Sequence, residues 1–249
     1  MDLKLRGRRA LVTGASKGIG AAVAEALAAE GSHLHLAARS GEALEALARK
    51  LREAHGVEVT VHVVDLRETA DLERLAEATA DADILVNNAG DIPAGTLDQV
   101  GPDRWRHAWD LKVFGYVDLT RLVYARLREQ GRGVIVNVIG AGGERPKPEY
   151  IAGGAGNAAL MAFTRALGAE GPGDGVRVVG VNPGPVATER ITTMRAANDD
   201  VDASFAALPS RRVAEPDEVA DLVAFLASAR ADYISGTIVT IDGGLSAAS

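Results

Sequence analysis

The chain of 249 residues contains no cysteine. Disulfide bonds, a thiolate nucleophile and a cysteine-bound zinc site are therefore excluded, and the composition agrees with a reducing cytosol. The five histidines (His33, His35, His55, His62 and His107) show no spacing typical of a metal site beyond the i,i+2 pair at His33 and His35. We therefore expect no bound metal.

Positive charge and long apolar runs are also scarce. The 27 basic residues are outnumbered by 34 acidic ones, which gives a net charge of -7. Nucleic-acid binding is not expected, because phosphate recognition needs a basic field. The apolar runs are as short as strands, whereas a membrane-spanning helix requires roughly 20 residues. The first residues lead directly into a strand, without the apolar core of a secretion signal. We expect a cytoplasmic protein without a membrane segment.

Short β-branched runs alternate with segments of helical period along the whole chain. Strands joined by crossover helices pair in parallel with right-handed connections, and strands that are apolar on both faces indicate helices on both sides of the sheet. The sequence predicts one α/β domain over 1–249, a doubly wound Rossmann-type fold with a seven-stranded parallel sheet. Helices are predicted at about 18–30, 41–54, 68–79, 103–130, 151–170 and 217–227.

The segment 185–212 is the longest stretch without a clear period, and it follows the end of a predicted strand. Ligands bind at strand ends in sheets of this kind. We interpret the segment as a substrate lid, and an ordinary surface excursion is an equally good alternative.

A glycine-rich turn, Thr13-Gly14-Ala15-Ser16-Lys17-Gly18-Ile19-Gly20, separates the first strand from the first helix. Its glycines allow a tight turn and a close approach of the backbone to a pyrophosphate, and the helix N-terminus presents amide groups to the negative charge. The turn predicts a dinucleotide site.

Together with four later motifs, this turn resembles the short-chain dehydrogenase/reductase family over essentially the whole chain. The later motifs are Asp65 after the third strand, Asn87-Asn88-Ala89-Gly90, Asn182-Pro183-Gly184 and Ile241-Asp242-Gly243-Gly244. The resemblance implies that Asp65 and Leu66 lie by the adenine, 88–90 by the ribose and 183–188 around the nicotinamide and phosphates. The implied cofactor-binding residues are Gly14, Ser16, Lys17, Gly18, Ile19, Gly20, Arg39, Ser40, Asp65, Leu66, Asn88, Ala89, Gly90, Pro183, Gly184, Val186 and Thr188.

The end of the second strand favours NADP(H) over NAD(H). An acidic residue there would bind the ribose 2′-hydroxyl of NAD and repel a 2′-phosphate. The chain instead has Arg39 and Ser40 after two alanines. Arg39 can bind a phosphate bidentately, and Lys17 adds a second positive charge from the glycine-rich turn.

The residues that carry out catalysis in the family are absent from their positions. The family uses a Ser, a Tyr, a Lys and an Asn, of which the Tyr transfers the proton and the Lys lowers the pKa of the phenol. The alignment places Gly140, Gly153, Asn157 and Lys112 at these four positions.

The exchange of Lys and Asn leaves an ammonium group available, because Lys112 can enter the pocket from the other side. Tyr150 precedes the expected Tyr position by three residues, so it is a candidate acid without the usual spacing, and Glu144 or Lys147 are further alternatives. The favoured alternative is that Tyr150 packs at the start of the helix with its hydroxyl in solvent. The glycines around 140–143 and 153–156 suggest a roomy pocket or a close backbone approach.

Two functions remain open. The first is a short-chain-type NADP-dependent oxidoreductase that acts on a carbonyl or secondary alcohol, with Lys112, Asn157 and Tyr150 in its atypical active site. The second is a catalytically silent nucleotide-binding subunit or regulatory pseudoenzyme, perhaps beside an active homologue. The resemblance also implies a homodimer or homotetramer packed through the helices 103–130 and 151–170.

Overall fold

The computed structural model describes residues 1–197 and 201–248, and its apolar segments form one sheet. The strands are β1 (Arg9–Thr13), β2 (His33–Ala38), β3 (Val59–Val63), β4 (Ile84–Asn87), β5 (Gly133–Val138), β6 (Val176–Pro183) and β7 (Ile238–Ile241). All neighbours pair in parallel in the order β3-β2-β1-β4-β5-β6-β7. The predicted seven-stranded, doubly wound sheet is confirmed. The strand order reverses between β1 and β4, so a crevice opens at their carboxyl ends.

Helices connect the strands and flank the sheet. Within the described residues they are α1 (Gly18–Ala29), α2 (Gly41–His55), α3 (Thr69–Ala78), α4 (Pro102–Trp109), α5 (Gly115–Gln130), α6 (Ile151–Glu170), α7 (Glu189–Ala197), α8 (Val201–Ala206) and α9 (Pro216–Ala227). The single helix predicted over 103–130 is divided, because a π-helical turn, Asp110–Phe114, joins α4 to α5. None of the helices in the described part of the chain is both long and apolar enough to cross a bilayer.

Side chains alternate between the two faces of the sheet, so each strand contributes to two cores. In β1, Val12 packs on the side covered by α1, α2 and α9, whereas Leu11 packs under α3 and α5. Both residues are completely buried, as expected for a parallel strand covered by helices on both faces. Because helices cover both faces of the sheet, a ligand is expected to bind at the ends of the strands.

The segment predicted as a lid, 185–212, is more regular than expected, because it holds α7 and α8. Residues 198–200 of this segment lie outside the described residues. Its two ends are tied together by a parallel bridge between Val186 and Ala214, with the amide of Ala214 donating to the carbonyl of Pro185 at 2.9 Å. The segment thus leaves and re-enters the fold at one point, near the carboxyl edge of β6.

Candidate active site

The glycine-rich turn packs so closely against the end of β4 that side chains are excluded. Gly14 has a φ of +64°, and a Cβ added to it would lie 2.8 Å from the Cα of Ala89. A Cβ on Gly20 would collide with the carbonyl of Gly14 and the side chain of Asn88. Only glycine fits at these two positions. The first-turn amides of a helix have no intrahelical partner and favour an anion.

Hydrogen bonds between Thr13 and Asn88 hold the two sides of this crevice together. The hydroxyl of Thr13 donates to the carbonyl of Val86 at 3.2 Å and accepts from the amide of Asn88 at 2.9 Å. The side-chain amide of Asn88 donates to the carbonyl of Thr13 at 3.0 Å. The predicted ribose residues 88–90 are thereby fixed beside the turn.

The two cations predicted to meet a 2′-phosphate have different surroundings. Arg39 and Ser40 are exposed at the start of α2, open to a ligand. Lys17 is exposed too, but its ammonium forms an ion pair with Glu189, the first residue of α7. A phosphate would therefore compete with the carboxylate of Glu189 for the ammonium of Lys17.

Asp65, predicted to lie by the adenine, is held by its neighbour Arg67. The guanidinium of Arg67 donates to Oδ1 of Asp65 at 2.9 Å and forms an ion pair with Oδ2. This hydrogen bonding lowers the pKa of Asp65, so its carboxylate stays ionised. Arg67 also contacts His107 of α4, and Leu66 is buried. The sequence pattern did not identify Arg67, although it follows Asp65 by two residues.

The residues after β6 lie against the same turn. The amide of Gly184 donates to the carbonyl of Ile241 at 3.0 Å, which fixes the end of β6 to β7. A Cβ on Gly18 would lie 3.2 Å from the methyl carbon of Thr188, so this threonine reaches the start of α1. The segment predicted to bind the nicotinamide and phosphates, which includes Pro183 and Val186, is thus next to the phosphate turn.

Lys112 enters the site from the π-helical turn. Its ammonium donates to the carbonyl of Ile139 at 2.6 Å, just beyond β5. The stem of the side chain crosses Gly90, where an added Cβ would lie 2.8 Å from Cδ of Lys112. Lys112 is half-buried, and its ammonium lies at the carboxyl end of β5.

Asn157 reaches the same strand end from α6. Its side-chain nitrogen lies 2.9 Å from the position of a Cβ on Gly140, so a larger residue at 140 would displace it. Asn157 is only 2% exposed. Its Oδ1 is buried without a hydrogen-bond partner among the described residues. Buried acceptors of this kind are rare in native proteins, which indicates that a donor from a ligand or water completes the site.

Tyr150 lies immediately before α6, and its ring covers Gly153. A Cβ built on Gly153 would collide with three ring carbons of Tyr150. The ring edge also lies 3.2 Å from the position of a Cβ on Gly142, a point that is 3.6 Å from the side-chain nitrogen of Asn157. The Tyr150 ring therefore occupies the space in which a side chain at position 153 would begin.

Of the two interpretations of these glycines, a roomy pocket and a close backbone approach, the structure favours the close approach. Where Gly143 lacks a side chain, Sδ of Met161 comes within 2.8 Å of the Cβ position, and Gly156 faces the indole of Trp109 at 3.2 Å. Glu144 does not reach toward Tyr150, because its Oε1 accepts from Asn182 at 3.0 Å and from Thr240 at 2.9 Å. The glycines serve close packing of protein groups.

The structure thus brings Lys112, Asn157 and Tyr150 to one short segment, 139–142, at the carboxyl edge of β5. The bare glycine turn and the orphaned Oδ1 of Asn157 fit a dinucleotide lying across this edge. Lys147, which is exposed, has no such placement.

Comparison with known proteins identifies the family of the chain. The family model described as enoyl-(acyl carrier protein) reductase matches residues 14–246. Galactitol 2-dehydrogenase (L-tagatose-forming) of Cereibacter sphaeroides is 35% identical over 97% of this chain and 96% of its own. The crystal structure of L-sorbose reductase from Gluconobacter frateurii, complexed with NADPH and L-sorbose, has a TM-score of 0.93 at 32% identity and covers 100% of both chains. A 7α-hydroxysteroid dehydrogenase complexed with NADH superposes with a TM-score of 0.91 at 27% identity, over 98% of this chain and 96% of that one.

Proposed function

The chain belongs to the short-chain dehydrogenase/reductase family, a family of oxidoreductases, and from this premise we propose that it uses NADP(H) to interconvert a ketone and a secondary alcohol through a rearranged catalytic site. The substrates of its relatives, sugars and alditols among them, favour a polyhydroxylated ketone or alcohol of similar size.

NADP(H) is the proposed cofactor because of charge at the end of β2. Arg39 is exposed there, and no acid follows β2 to bind a 2′-hydroxyl or to repel a 2′-phosphate. The glycine turn supplies backbone amides for the pyrophosphate, and residues 88–90 and 183–188 border the remaining length of the crevice. The relative with bound NADPH supports this choice, whereas the relative with bound NADH shows that the fold accepts either dinucleotide.

Tyr150 is the proposed proton donor. When bound, the reduced nicotinamide supplies a hydride to the carbonyl carbon. The hydroxyl of Tyr150 gives its proton to the carbonyl oxygen, so that the ketone becomes an alcohol and the phenol becomes a phenolate that regains a proton from solvent. The observation that carries this role is the position of its ring over Gly153, where the side chain of the family's tyrosine would otherwise begin.

Lys112 and Asn157 complete the proposed site. The ammonium of Lys112 adds positive charge at the end of β5, where it stabilises negative charge that develops on a phenolate or a carbonyl oxygen. Oδ1 of Asn157 accepts a hydroxyl of the ribose or of the substrate, which satisfies its buried lone pairs. Lys and Asn are thus exchanged between α6 and the π-helical turn, and the proposed site still contains both an ammonium and a side-chain amide.

The test is oxidation of NADPH by a panel of ketones and diketones, compared with NADPH binding measured by calorimetry. Replacement Tyr150→Phe removes the hydroxyl and keeps the ring, so we expect turnover to fall by about 10²–10⁴-fold with unchanged NADPH affinity. Tyr233→Phe is the matched control, because Tyr233 is fully exposed. Equal activity of Tyr150→Phe and the parent protein would exclude Tyr150 as the acid.

A silent nucleotide-binding subunit is the competing function, and the replacement of all four family residues favours it. It predicts NADPH binding without turnover, unchanged by Lys112→Ala. An oxidoreductase predicts that Lys112→Ala lowers the rate.

A homodimer or homotetramer remains a proposal, as does a cytoplasmic location. The exposed side of α6 supports the oligomer, since it carries Ala155, Ala158, Ala159 and Ala162. Such small side chains let a helix of a second subunit approach closely.

A further inference from the structure

The ion pair between Lys17 and Glu189 joins two segments that are distant in sequence. Lys17 precedes α1, and Glu189 begins α7. Both side chains are mostly exposed, at 72% and 67%, so solvent screens the pair and either partner can be replaced without disturbing the core.

The backbone around Glu189 fixes the carboxylate beside the phosphate turn. The amide of Thr188 donates to the carbonyl of Val186 at 2.7 Å, and Val186 is bridged to Ala214. The methyl group of Thr188 lies over Gly18. Glu189 therefore begins its helix from an anchored position, and its contact with Lys17 follows from that anchor.

From this geometry we propose that Glu189 is a specificity-determining residue that competes with the 2′-phosphate of the cofactor for Lys17. The inference rests on the proposed use of NADP(H). Its carboxylate neutralises one of the two cations that favour the phosphorylated dinucleotide, and it adds a negative charge near the phosphate dianion. Glu189 thereby reduces the preference for NADP(H), while NAD(H), which lacks the 2′-phosphate, is little affected.

The sign of the effect distinguishes this role from a structural one. If Glu189 only anchored α7, its removal would weaken the binding of both dinucleotides. If it competes for Lys17, its neutralisation strengthens the binding of ligands with a 2′-phosphate alone. Because both groups are exposed, the change is modest, about threefold to tenfold.

The experiment measures the binding of adenosine 2′,5′-bisphosphate and 5′-AMP by calorimetry, since these two probes differ only in the 2′-phosphate. The variants are Glu189→Gln, Lys17→Met and the double variant. Glu129→Gln is the control for net charge, because Glu129 is exposed in the last turn of α5, which precedes β5 and so lies at the amino edge of the sheet. NADPH and NADH are measured in parallel.

The proposal is supported if Glu189→Gln raises the affinity for adenosine 2′,5′-bisphosphate by about threefold to tenfold and leaves the affinity for 5′-AMP within twofold. The substitution must also have no effect when Lys17 is already replaced by Met. An unchanged ratio of the two affinities, or the same gain in Glu129→Gln, overturns the role of Glu189. Equal affinity for both probes in every variant overturns it as well, together with the NADP(H) preference, but turnover with NADH would still uphold the oxidoreductase.

Discussion

The ring of Tyr150 covers the Cα of Gly153, so the tyrosine and the glycine form one unit, in which the absence of a side chain at 153 makes room for the aromatic ring of 150. Tyr150 thus occupies the space in which a side chain at position 153 would begin.

Gly153→Ala should therefore displace the Tyr150 ring. The new Cβ would overlap the ring carbons, and overpacking of this kind costs about 1–3 kcal/mol. We expect turnover to fall at least tenfold while NADPH affinity stays within about threefold, since the glycine-rich turn follows β1, which β4 separates from β5 in the sheet. Steady-state kinetics and calorimetry measure the two effects. Retained turnover in Gly153→Ala would show that the ring position is irrelevant to the chemistry.

Gly14→Ala should weaken cofactor binding through the backbone. Both Gly14 and Gly56 have a left-handed conformation, with φ of +64° and +67°, which costs a non-glycine residue about 1–2 kcal/mol. Gly56 has open space around it, whereas Gly14 faces Ala89 at 2.8 Å. Gly56→Ala is thus the control for the conformational cost. We expect a larger loss of unfolding free energy and a loss of NADPH affinity in Gly14→Ala alone, and equal losses would refute the close approach.

Arg39→Asp should reverse the cofactor preference. The acid would accept the ribose 2′-hydroxyl of NADH and repel a 2′-phosphate. Charge-assisted hydrogen bonds contribute about 1.5–3 kcal/mol, so NADPH affinity should fall by about tenfold to a hundredfold while NADH affinity rises. Arg49→Asp, at an exposed position later in α2, makes the same change of charge. Similar effects of both substitutions would assign the change to net charge.

Acid should destabilise the protein through His62. Burial, assisted by electrostatic repulsion from His35, lowers the pKa of His62 below its ordinary value of 6.5. The unfolded chain then binds the proton more readily, so unfolding free energy is retained above about pH 6.5 and falls as the pH drops from there toward the folded-state pKa. His62→Gln should flatten this slope between pH 7.5 and 5.5 in urea titrations, and an unchanged slope would exclude His62 as its source.

The sequence predicted those parts of the molecule that depend on local pattern. Strand, turn and helix follow each other around Gly14 to Gly20, and glycine spacing alone indicates the phosphate turn. Arg39 is identified as a phosphate ligand because it follows β2 and no acidic residue stands at the end of that strand. In contrast, α7 was missed because its sequence, from Glu189 to Ala197, has no apolar stripe, and its position depends on contacts with the turn after β1.

Long-range contacts explain the other differences. No local pattern connects Lys17 with Glu189, which lies far along the chain, so the pairing of a proposed phosphate ligand could not be foreseen. The loop before α6 determines where Tyr150 points, and its path depends on Gly140, Gly142 and Gly143 packing against Asn157 and Met161. The glycines in the sequence allowed either a roomy pocket or a close approach, and only the fold decides between them, because neighbouring groups fill the space.

Both tryptophans of the chain, Trp105 and Trp109, lie in α4, with ring centroids 6.1 Å apart. The indole nitrogen of Trp109 donates to the carbonyl of Ala152 at 3.0 Å, one residue before the glycine under Tyr150. Because the chain has no other indole, its intrinsic emission arises beside the proposed reaction centre. Tryptophan fluorescence therefore reports on structural changes at the start of α6 without an added label.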